Sequence, residues 1–80
     1  MSERQALLGK RVELRQLRNR RATACDALKV RLRKLLDPVR EAHELDGDAI
    51  LDAAASLHGE LGELAVLDKK LAILKRELGG

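Results

Sequence analysis

Ile50, Leu57, Leu64, Leu71 and Leu78 recur at every seventh position without exception. A seven-residue apolar repeat matches two helical turns and no strand period, so this part of the chain must form a long helix that lays one stripe against a neighbour. Ala54, Leu61, Leu67 and Leu74 fall between the repeats, and the successive three-residue steps of Leu61, Leu64 and Leu67 read as a local stammer. The first half carries a stripe of its own. Leu7, Leu14, Leu28 and Leu35 share one heptad, Leu17, Ala24, Cys25 and Leu32 lie beside it, and Arg21 takes the seam position left over.

Composition excludes the alternatives to helix. Seventeen Leu and eleven Ala stand against six Val and Ile together, with no aromatic residue. Leu and Ala lead the helix scale, whereas strands want β-branched and aromatic side chains. Ser2 followed by Gln5 fits a capping box that starts the first helix, and Pro38 removes a backbone donor and ends it. Asp46 or Asp48 caps the second helix, and Gly79-Gly80 after Lys75 and Arg76 stops it. The expected organisation is one domain over residues 1–80, with a helix over 3–36, a connection over 37–47 and a helix over 48–78. The connection reads as a loop or as a short helix; Asp37 as cap, Pro38 at a first helical position and Gly47 as terminator favour about two helical turns.

Two long helices on a short connection fold back as an antiparallel hairpin, an all-α and coiled-coil-like architecture. With residues 36 and 48 level, Arg21 faces Glu63 and lies within reach of Glu60. The same register sets Ala22, Ala24 and Cys25 against Gly59 and Gly62, small residue against small. One seam does not use all the apolar surface. Leu8, Val12, Val30 and Leu36 on the first helix, and Leu51, Ala55, Ala65, Ala72 and Ile73 on the second, lie outside it. Such a surplus predicts a homodimeric four-helix bundle, with Leu51, Ile73, Val12 and Val30 as interface candidates.

Charge is divided unevenly along the chain. Residues 1–40 carry a net +8 and residues 41–80 a net −5, within an overall +3. The hairpin folds these halves onto one another, so most of the charge is expected to be matched internally. What remains is a basic open end, where residues 3–18 and 66–78 together carry +5. Arg4, Lys10, Arg11, Arg15, Lys69 and Lys75 are the candidates there for binding an anion. The arginine-dense run RQLRNRR at residues 15–21 keeps nucleic acid as an alternative partner, but the stacking aromatics used by most single-strand binders are absent.

No recognisable catalytic or metal motif occurs, and a non-enzymatic module without a cofactor is expected. His43 and His58 have no metal-ligand spacing, and the register brings Cys25 near His58, where a buried small thiol beside an exposed imidazole is the simpler reading. Asp46, Gly47, Asp48 and Asp52 fall short of a calcium loop because the later ligands and terminal Glu are missing. A lone cysteine fits a reducing cytoplasm, and no segment approaches the roughly 20 apolar residues of a membrane span. In architecture the chain resembles small helical hairpins such as plasmid-encoded RNA-binding hairpins and hairpin co-chaperones of secretion systems. No motif is specific to either, so the resemblance implies an all-α hairpin and assigns no site.

Overall fold

A computed structural model describes residues 2–79. Two α-helices, α1 over Glu3–Leu35 and α2 over Gly47–Glu77, pack side by side as an antiparallel hairpin, and no strand occurs among the described residues. The capping box at the start of α1 is complete. The Gln5 N–H donates to Ser2 Oγ and the Ser2 N–H donates to Gln5 Oε1, both at 3.2 Å. These bonds satisfy donors that a helix N-terminus otherwise leaves free. Asp46 caps α2 in the same sense, accepting from the Ala49 N–H at 3.1 Å. Gly79, at φ +75°, ends it in the left-handed conformation that glycine tolerates best. Gly80, the other half of the expected stop, lies outside the described residues.

The connection differs from the expected two-turn helix. The Asp37 carboxylate accepts from the Val39 N–H at 3.0 Å, and the Asp37 carbonyl accepts from the Arg40 N–H at 3.1 Å. Asp37 thus bonds two residues onward in an Asx turn, the alternative to helix that short polar side chains offer the backbone. Only a single 3₁₀ turn, Ala42–Glu44, follows. Gly47 opens α2 as its first residue and does not terminate anything, because the Asp46 side chain directly before it supplies the N-cap.

Less exposed residues run along each helix in alternating steps of three and four. On α1 they are Leu7, Arg11, Leu14, Arg18, Arg21, Cys25, Leu28, Leu32 and Leu35, with Leu17, Ala22 and Ala24 half-buried beside them. On α2 they are Ile50, Ala53, Leu57, Glu60, Leu64, Leu67, Leu71, Leu74 and Leu78. Both runs keep a strict heptad, so the expected stammer is absent. Ala54 and Leu61 are exposed, and Ala53 and Glu60 hold the seam positions that hydrophobicity alone gives to them. The core is slender: Cys25, Ala53, Leu67, Leu74 and Leu78 are its buried members.

Three contacts between residues at or beside the seam fix the register. An Arg4 guanidinium N–H donates to the Leu78 carbonyl at 3.4 Å, Arg18 Nε donates to Asp68 at 2.8 Å, and Arg21 Nη1 donates to Glu60 at 3.1 Å. The helix ends are therefore level as expected, with Glu60 and not Glu63 as the partner of Arg21. Gly59 and Gly62 do not face the small residues of α1. Both are exposed, and a Cβ placed on either would meet nothing within 4 Å.

Candidate interaction surface

A two-helix hairpin has two broad sides flanking its seam, and the heptad decides which side each exposed residue takes. In an antiparallel pair, residues one past the Leu7, Leu14 and Leu28 set of α1 share a side with residues one past the Ala53, Glu60 and Leu67 set of α2. Leu8, Ala22 and Leu36 on α1, and Ala54, Leu61 and Asp68 on α2, therefore line the first side. Val12 and Leu51 stand in the adjacent rows. Leu8, Val12, Arg15 and Asn19 line one shallow groove here together with Arg11 and Gln16. The opposite side carries Lys10, Lys70 and Ile73, which line a groove with Leu7, Leu14, Leu74 and Glu77.

This geometry separates the four interface candidates. Val12 and Leu51 share the first side, Ile73 belongs to the second, and Val30 stands on the outer surface of α1 with Asp26, Lys29 and Arg33. All four are exposed, Leu51 to 67%. Leu61, assigned to the seam on hydrophobicity, is 49% exposed and lies midway along the first side. The signal that could have found it was the strict three-four alternation through Ala53, Leu57 and Glu60, which leaves Leu61 one step off the seam.

The six basic candidates are likewise distributed around the open end. Arg11 is half-buried at the seam and Arg4 is tied to the Leu78 carbonyl. Arg15 and Lys75 take the Leu61 side, Lys10 the Ile73 side, and Lys69 the outer surface of α2. Among the described residues none of the six makes an ion pair with an acidic side chain, whereas Arg18 and Arg21, at neighbouring seam positions, each do. Asp68, through its hydrogen bond and its charge, holds the Arg18 guanidinium above its already high ordinary pKa. Charge matching across the hairpin is thus confined to its middle, and the open end keeps its positive charge.

The remaining chemistry-bearing residues do not converge on one place. Cys25 is buried and His58 exposed, on facing helices. Glu41, His43 and Glu44 bring their ligand atoms within 4.8 Å of one another, but all three are exposed, and His43 Nδ1 lies 3.5 Å from a Glu41 carboxylate oxygen. Among the described residues no helix is long and apolar enough to cross a membrane. No family model, curated protein or solved structure matches the chain.

Proposed function

We propose that this protein is a non-enzymatic helical interaction and oligomerisation module, which works by presenting the side of its hairpin to another helical surface in a coiled-coil-like or bundle arrangement. One observation carries the reading. The chain exposes 6297 Å², whereas a compact monomer of 8.9 kDa exposes about 4,800 Å². Its radius of gyration of 18.0 Å exceeds the roughly 12 Å of a compact 80-residue domain. The excess surface includes Leu8, Val12, Leu51, Leu61 and Ile73, large apolar side chains that an isolated hairpin leaves in water. A homodimeric four-helix bundle covers the side that carries Leu8, Val12, Leu51 and Leu61 with a single kind of chain, and a protein partner with a matching helical face covers it equally. A reducing cytoplasm suits the unpaired buried thiol of Cys25.

The second reading, a nucleic-acid-associated hairpin, draws on the free basic side chains of the open end. Fluorescence anisotropy with labelled duplex DNA and structured RNA separates the two. The interaction reading expects weak binding, similar for every sequence and lost by physiological salt, with little change on Arg11→Ala or Arg15→Ala. Sub-micromolar, sequence- or structure-selective binding at that salt, weakened together with its salt slope by those substitutions, overturns it.

A further inference from the structure

An interaction module needs a partner, and the exposed residues of this hairpin indicate one. Building on the interaction reading, we infer that the partner is a second copy of this chain, docked antiparallel along the side that carries Leu8, Val12, Leu51 and Leu61. The loop end of each hairpin then covers the open end of the other.

The apolar positions on this side are self-complementary under a twofold axis. The middle of the hairpin lies between the Arg18–Asp68 and Arg21–Glu60 pairs, at the level of Leu64. At 1.5 Å per residue, Leu8 stands about 18 Å from that level toward the open end of α1, and Leu36 about 24 Å from it toward the loop end of the same helix. A twofold axis perpendicular to the hairpin at Leu64 reverses the long axis and keeps the α1-to-α2 direction, so α1 lies along α1 of the other copy and Leu8 of one comes within about a helical turn of Leu36 of the other. It also brings the two copies of Leu61 close to the axis, among alanines. In a twofold interface each residue meets its counterpart's partner in return, so a spacing that matches in one direction matches in both. The Ile73 side has no such pairing: Val66 lies at the axis, but Ile73, about 14 Å toward the open end, has no large exposed apolar counterpart toward the loop end of that side.

Charge selects the same orientation. The open end carries +5, and residues 41–52 hold five carboxylates and no Lys or Arg, which outweigh the basic residues at the end of α1. Antiparallel docking lays this acidic segment toward the basic open end of the other copy, with Asp52 at the level of Lys75, whereas parallel docking stacks one basic end on the other. Opposed fields of this kind fix orientation and suppress the wrong arrangement. The area is sufficient as well. A side 61 Å long and 18 Å wide offers of the order of 1,000 Å² per copy, above the roughly 800 Å² per partner of a stable interface.

The test uses the full chain carrying Cys25→Ala and one spin label at Val39→Cys, an exposed site at the loop tip. Antiparallel docking separates the two labels by a distance of the order of 50 Å, close to the hairpin's length, and pulsed dipolar spectroscopy reads it; parallel docking gives less than about 25 Å. Leu61→Glu should weaken dimerisation at least tenfold while helicity persists, and Ile73→Glu should leave it unchanged. A short label distance, or dissociation by Ile73→Glu but not by Leu61→Glu, overturns the inferred geometry. A monomeric mass at hundreds of micromolar overturns the second copy as partner. Only selective, sub-micromolar binding in the nucleic-acid titration would remove the interaction reading itself.

Discussion

Arg21 Nη1 lies 3.1 and 3.2 Å from the two carboxylate oxygens of Glu60, and both residues occupy seam rows otherwise apolar, Arg21 with Leu7, Leu14, Leu28 and Leu35 and Glu60 with Ala53, Leu67 and Leu74. Arg21 is 37% and Glu60 23% exposed, so the pair is only partly withdrawn from water and its Coulombic gain is correspondingly screened. Its main consequence is register. Sliding one helix past the other by a heptad would set Arg21 against Ala53 or Leu67 and leave Glu60 without its cation. Polar pairs at single seam positions discriminate registers in this way at a cost in stability.

Glu60→Ala should destabilise the protein by about 1 kcal/mol, because Arg21 then stays at the seam without its acceptor. Arg21→Leu combined with Glu60→Leu should instead stabilise it by about 1–2 kcal/mol, since apolar packing replaces a partly desolvated pair. Urea unfolding followed by circular dichroism measures both. In the double variant the loss of register discrimination should broaden amide resonances, and wild-type line widths there would separate the pair from any role in register.

Gly59→Ala and Gly62→Ala should each stabilise the hairpin by up to about 1 kcal/mol, the difference in helix propensity. A Cβ at either position meets nothing within 4 Å, so no packing loss opposes the gain. The heptad also sets both residues away from the Leu61 side, so neither substitution should alter association. A lower thermal midpoint would mean that these glycines pack against something after all.

Asp46→Ala should cost about 1 kcal/mol by removing the acceptor for the Ala49 N–H at the start of α2. Because that helix turn borders the connection, amide hydrogen exchange should accelerate first at residues 47–50. Uniform acceleration along the whole chain would indicate global destabilisation in place of local fraying.

The heptad of Ile50, Leu57, Leu64, Leu71 and Leu78 made the long second helix legible, and Ser2 with Gln5 and the Asp46 cap marked where helices start. Hydrophobicity misled at Leu61. Counting apolar residues prefers Leu61 to its neighbour Glu60, while the geometry of a straight seam prefers Glu60, and a charge opposite Arg21 makes that position tolerable. The need of Arg21 for a partner hinted at this, alongside the three-four alternation through Ala53, Leu57 and Glu60. Asp37-Pro38 is ambiguous for a related reason: the same two residues can cap a helix or close an Asx turn, and the short span between two long helix ends favours the turn. The interaction surface was half legible. Exposed Leu51 and Val12 could be read from the stripes, but which exposed residues share a side depends on the seam, and moving Leu61 off the seam is what joins them into one face.

Sedimentation equilibrium of the full chain, combined with thermal unfolding over a hundredfold dilution, tests most directly whether the hairpin is completed by association with itself. Self-association predicts a mass near twice 8.9 kDa at tens of micromolar and a midpoint that falls on dilution, because dissociation returns the Leu61 side to water. A mass of 8.9 kDa at hundreds of micromolar, with a midpoint independent of concentration, would contradict it.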